Sequence, residues 1–168
     1  MKKLIFLSFV CISNFAICQS VDDLDKNNGF KNLTLGMSLD AAKKYINPIP
    51  YESYPKLKIA YYDVTYQDFL KIGSNSLSSV SLVFFDNKLE TITIKTNGFS
   101  NSDAVLGTFK NAYGAWRQPN KYIEEYGWIG KAVDMLYNQN RTTGNANIFI
   151  FSKEIHRQAK EYKDRLLE

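Results

Sequence analysis

Histidine, cysteine and clustered carboxylates carry most metal and nucleophile chemistry, and this chain of 168 residues holds one histidine, His156, and two cysteines, Cys11 and Cys18. Both cysteines fall within the first eighteen residues, so a Cys/His zinc site, a Cys-His dyad and a two-histidine helix site are not expected in the remainder of the chain. No metal site and no cofactor is expected. A Ser-His-Asp triad would have to use His156, but that residue stands beside Glu154 and Arg157 in a charged segment, and the sequence has no G-x-S-x-G elbow. His156 therefore reads as a solvated surface histidine.

Carboxylates are the remaining catalytic resource. Asp23-Leu24-Asp25-Lys26-Asn27 matches ligand positions one, three and five of a calcium loop, but Asn28 stands where glycine is needed and Thr34 where the closing glutamate belongs. The expected role of residues 21 to 28 is a flexible, solvated acidic lead-in. Glu124 and Glu125 are adjacent, so on a strand they point to opposite faces, and at most one could join Asp134 or Asp63 as an acid/base pair. No glycines have the spacing of a phosphate cradle. No catalytic residue is assigned.

Aromatic residues are the other chemical resource. Trp116, Tyr122, Tyr126, Trp128 and Tyr137 crowd the second half, and Tyr51, Tyr54, Tyr61, Tyr62 and Tyr66 the first. Tyr and Trp join apolar area to a polar handle, which suits contact surfaces, and they are also good strand residues. Most are expected to be structural. The five of the second half are the candidate binding residues.

Alternation and capping signals predict the elements that hold them. Val80 to Thr96 reads as a β-hairpin turning at Asp86-Asn87-Lys88, a three-residue loop that pairs Leu82 with Ile92 and Val80 with Ile94. Ser38 is expected to cap a helix reaching Ile46 and stopped by Pro48, and Ser102 a helix carrying Val105, Phe109 and Tyr113 and closed by Gly114. Ile49 to Lys58 reads as a loop, Ile59 to Ile72 as broken strand, and Gly73 to Ser76 as a turn. Tyr122 to Trp128, Lys131 to Tyr137 and Asn147 to Phe151 read as strands. Each half thus runs helix, strand, strand, strand, as pseudo-repeats at about 30–96 and 97–152. A charged amphipathic helix over 153–167, capped by Ser152, has no counterpart in the first half.

Residues 1–18 read as a secretory signal peptide, with Lys2 and Lys3 before an apolar run that ends at Ala16-Ile17-Cys18. The run is too short to span a bilayer as a helix. Ile17 and Phe15 flank Cys18 where a lipoprotein signal would carry other residues, so plain cleavage ranks above lipidation of Cys18. Residues 19–168 are then one extracytoplasmic domain, periplasmic or secreted. Loss of the two lysines lowers the net charge from +4 to about +2, with acids and bases interspersed, which argues against a nucleic-acid partner. The sequons at Asn32 and Asn140 matter only in a glycosylating host, and the signal looks bacterial.

Three stretches carry a family likeness: Phe30-x-x-Leu33-x-Leu35-Gly36-Met37-Ser38-Leu39-x-x-Ala42-Lys43, Phe84-x-Asp86-Asn87-Lys88-Leu89-x-x-Ile92, and Phe109 to Tyr113-Gly114. Together they resemble small secreted bacterial proteins of the β-lactamase-inhibitor-protein-like type, and the helix-then-sheet unit is similar to that of small outer-membrane assembly lipoproteins. The resemblance implies an α+β fold of two tandem helix-plus-three-strand units, with helices on one face of an antiparallel sheet and the other face available to a protein. The chain lacks the stabilising cysteines of the inhibitor proteins, and no inhibitory loop transfers to it. The expected function is a non-enzymatic interaction module that binds an unknown protein partner in the cell envelope or outside it, through an aromatic sheet face. The alternative is a carboxylate-dependent hydrolase of the cell envelope.

Overall fold

The computed structural model describes residues 20–167; the signal-peptide reading, with Cys11 and Cys18, lies outside them. At the centre is the predicted hairpin, β7 (Ser79–Phe85) and β8 (Lys88–Thr96). It pairs Leu82 with Ile92 and Val80 with Ile94, as expected, but by a different route. The loop has two residues, Asp86 and Asn87, both at positive φ (47° and 62°), the signature of a tight hairpin turn. A bulge then shifts the register between Val83 and Phe84, so Phe84 faces Leu89 while Val83 faces Thr91. The spare residue is Glu90. A two-residue loop plus one bulged residue gives the same pairing as a three-residue loop.

The other strands are β1 (Gly29–Phe30), β2 (Leu33–Thr34), β3 (Glu52–Tyr54), β4 (Ile59–Asp63), β5 (Lys71–Ile72), β6 (Asn75–Ser76), β9 (Glu125–Ile129), β10 (Val133–Gln139) and β11 (Ala146–Ser152). Seven of the eleven strands form one antiparallel sheet in the order β3-β4-β7-β8-β11-β10-β9. About the β8–β11 seam the order reads alike both ways, a three-strand meander on each side, with β3 added at one edge. The remaining four strands make two small two-stranded sheets.

Register aligns the core. Tyr62, Leu82, Ile92, Ile150, Met135 and Trp128 lie opposite one another across six strands, and all six are buried. Burying such side chains is worth roughly 1.5–3 kcal/mol each. This face is covered by α1 (Val21–Asn27), α2 (Leu39–Ala42) and α3 (Phe99–Tyr113), which contribute Leu24, Ala42, Val105, Leu106, Phe109 and Tyr113 to one hydrophobic cluster.

Three local expectations are corrected. The acidic lead-in is the helix α1: the Asp23 carboxylate accepts from the Ser20 amide (3.1 Å), and Leu24 is fully buried. Asp25 faces inward to the turn before β10, where its carboxylate accepts backbone N–H bonds from Lys131 (2.7 Å), Ala132 (2.9 Å) and Val133 (2.9 Å). The helix begun by Ser38 keeps its cap, with Ser38 Oγ accepting from Ala41 N (3.2 Å), but lasts one turn. Beyond Ala42 the backbone is diverted to the sheet: Asn47 donates to Asp63 and Thr65 to Tyr45, both at 2.9 Å. Ser102 does not cap α3, which starts at Phe99 with the Gly98 carbonyl accepting the first helical bond; Ser102 is buried one turn in, 2.6 Å from the Thr96 hydroxyl.

The fourth helix, α4 (Lys153–Leu167), turns back from β11 onto the opposite face of the sheet. Tyr162 packs on Phe85, and His156 packs on Phe151. Lys153 sits 3.6 Å from Asp134 Oδ1, an oxygen with no hydrogen-bond donor among the described residues. His156 is not merely solvated. Its Nδ1 donates to Glu90 Oε1 at 2.5 Å, and Glu90 is only 7% exposed, because the bulge turns its side chain under α4. His156→Ala removes a partner of a buried carboxylate and is expected to cost about 1 kcal/mol, with His156→Gln nearer wild type, in urea denaturation. Equal midpoints for all three proteins would contradict this.

Among the described residues no helix is long and apolar enough to cross a membrane. One sheet edge, β3, is only three residues long and sits between Pro50 and Pro55. The other, β9, is closed at Gly127, which exchanges two 2.8 Å backbone bonds with Arg117.

Candidate functional site

Strand alternation decides which aromatics are available. Trp128 and Tyr137 point to the helix-covered face and are buried, at 0% and 1% exposure, so both are corrected from contact residues to core residues. The Trp128 indole N–H donates to the Gly114 carbonyl (3.3 Å), and the Tyr137 hydroxyl to the Ser102 carbonyl (3.1 Å). Burial pushes the Tyr137 phenol well above its ordinary range. Trp116 and Tyr122 are exposed on the segment joining α3 to β9, and Tyr126 is half-buried between them and the core.

Trp116, Tyr126 and Tyr137 contact one another edge-on, with ring centroids 6.5 and 6.0 Å apart, in a line from surface to interior. Lys110, in the last turn of α3, places its ammonium 4.0 Å from the Tyr126 ring centroid and 4.4 Å from that of Trp116. Burial lowers its pKa against the pull of Glu124 and Asp103. The Tyr126 hydroxyl donates to Glu124 Oε2 (2.5 Å), and its pKa is pushed up to about 12, first by burial and then by that carboxylate. The five candidate residues thus form no single surface. Lys110 already occupies the cage that two of them make.

The sheet's second face offers a different surface. Asp63, Ser81, Thr93, Phe149, Leu136 and Gly127 form one row across β4, β7, β8, β11, β10 and β9, and Ile129 adjoins its end. Phe149, Leu136 and Ile129 are 36%, 42% and 39% exposed on three neighbouring strands. They line a groove of about 390 Å³ together with Arg117, Pro119 and Gly127. The α4 contacts at Phe151 and Asp134 lie one row away and that at Phe85 two rows away, so the groove stays open beside the helix.

These residues were missed because each stands next to a stronger core residue: Leu136 between Met135 and Tyr137, Phe149 between Ile148 and Ile150, Ile129 after Trp128. An apolar side chain in the polar phase of an alternating strand is the signal that finds them.

The acids considered for catalysis are placed as follows. Glu125 accepts from Asn138 on the second face (2.9 Å), while Asp134 faces Lys153. The residue opposite Glu125 is four positions along β10 from Asp134, about 13 Å at strand rise, so the two acids do not meet. A second cleft of about 450 Å³, at the start of α3, is lined by Phe99, Asp103, Glu124, Gln139 and Arg141. Gln139 Nε2 donates to Asp103 there (3.0 Å). Among the described residues no three His, Cys, Asp or Glu side chains are grouped to hold a metal ion. Compared with protein-family models, curated proteins and solved structures, the chain matches none.

Proposed function

We propose that this chain is a non-enzymatic extracytoplasmic interaction module, built from two like units, that holds a protein partner on the open part of its second sheet face. One observation carries the reading: three large apolar side chains, Ile129, Leu136 and Phe149, stand exposed side by side on a rigid sheet whose other face is taken up by helices. Contiguous exposed apolar surface of this kind is what association buries. The extracytoplasmic location rests on the signal reading of residues 1–18.

The test is capture of a partner from the envelope of the host by the mature protein, compared with Leu136→Arg and Phe149→Arg. Both substitutions lie on exposed positions and should leave stability within about 1 kcal/mol. Loss of one specific partner with both variants is the expected result. A partner retained by both would remove this face from the interaction.

A second reading, a carboxylate-dependent envelope hydrolase, draws support from Asp103 and Glu124 lining one cleft beside Arg141. It predicts release of fragments from envelope polymers by the wild type, abolished by Asp103→Asn and by Glu124→Gln. Undiminished release by these variants would discard it.

A further inference from the structure

We infer that the hollow over Gly127 is an anchor pocket for one large apolar side chain, aromatic or branched, supplied by the protein partner with a carboxylate beside it. The inference rests on the reading of this face as the contact surface and names what the partner must present there.

Nothing in the fold requires glycine at 127. Its φ lies outside the left-handed region, and a Cβ there would meet Leu136 Cδ2 at 3.5 Å, Ile129 Cδ1 at 3.7 Å and the Arg117 carbonyl at 4.0 Å, all ordinary contacts. Glycine inside a strand carries a stability cost relative to alanine, through the freedom it loses on folding. That cost has no return in turn geometry or close packing. What it leaves is a recess: with no side chain at 127, the sheet has a gap between Ile129, Leu136 and Phe149, with Pro119 among its lining residues.

The walls exclude a charged tip, whereas the rim attracts one. Arg117 lines the recess and forms no ion pair among the described residues. Glu125 lines the recess too, but its carboxylate is drawn to the Asn138 amide (2.9 Å) and makes no ion pair with Arg117. A guanidinium presents paired N–H donors that match a carboxylate. An apolar group entering the recess with a carboxylate at its base therefore satisfies both features, as a buried anchor residue does at the centre of an interface.

The test titrates the isotope-labelled full chain with N-acetyl-L-phenylalanine and separately with N-acetyl-L-phenylalaninamide, following backbone amides by NMR. Saturable shifts centred on Gly127, Leu136 and Phe149 are expected, with the amide binding about two- to fivefold more weakly, the worth of one exposed ion pair. Arg117→Gln should bring the two probes together, and Gly127→Val should abolish the shifts. If Gly127→Val fails to fold, Gly127→Ala serves: it should raise the urea midpoint of unfolding and weaken the probe.

Absent shifts, shifts centred elsewhere, or shifts undiminished in the Gly127 variants would overturn the pocket. In partner capture the two readings separate. A partner kept by Gly127→Val but lost by Phe149→Arg removes the pocket and leaves the face, whereas a partner kept by both removes the face and the pocket with it.

Discussion

Trp128→Ala is expected to lower the free energy of unfolding by about 3–5 kcal/mol, the range for truncating a fully buried aromatic. The indole ends the row of core residues that crosses six strands, and its N–H satisfies the Gly114 carbonyl at the end of α3. Its loss opens a void under the helix and frees that carbonyl. Folded domains are stable by only about 5–15 kcal/mol, so the variant should unfold at much lower urea with an unchanged slope. Tyr122→Ala, at 65% exposure, should stay within about 0.5 kcal/mol of wild type. The contrast matters for function, because a partner lost with Trp128→Ala is lost through a weakened core and not through a missing surface contact. A Trp128→Ala midpoint equal to wild type would mean that the indole is not in the core.

Asp25→Ala is expected to cost roughly 2 kcal/mol, well below the sum of three charge-assisted bonds, because water reaches two of the three donors it abandons. Burial tends to raise the Asp25 pKa, but the N–H bonds from Lys131, Ala132 and Val133 together outweigh it and hold the carboxyl below its ordinary value of 3.8. The folded-state pKa being the lower one, the stabilisation is fully present above about pH 4 and is lost as pH falls through the folded value. Wild type should therefore lose stability below about pH 4 more steeply than Asp25→Asn. Parallel pH profiles for the two proteins would show that the carboxylate is not what ties α1 to the β9–β10 turn.

Strands were legible in the sequence where one face alone is apolar. Leu82 against Ile92 and Val80 against Ile94 follow from alternation alone, and the bulge at Glu90 left that register intact while moving a carboxylate under α4. Helices were legible in type more than in extent. Ser38 caps as expected, yet nothing local shows that Tyr45 and Asn47 would bond to Thr65 and Asp63 and so stop the helix after one turn. The helix α1 was hidden because its charges read as solvation, whereas Asp25 spends its charge on backbone amides more than a hundred residues away.

The site was less legible than the fold. Tyr and Trp drew attention by type, but Trp128 and Tyr137 share the phase of the core, and burial follows phase. Leu136 and Phe149 break phase without looking unusual as residues. The consequence of the missing side chain at Gly127 depends on which neighbours flank it across the sheet, and that is set by register with β10 rather than by anything adjacent in sequence.

Pro50 and Pro55 bracketing a three-residue margin at one end, and the Arg117 pairing at the other, leave few main-chain groups on which a further strand could grow. Stacking of such molecules side by side into fibrils is thereby discouraged. Any contact with another chain falls instead to a broad side of the molecule, where shape and side-chain identity decide it, and a chance encounter with a foreign β-rich chain gains little.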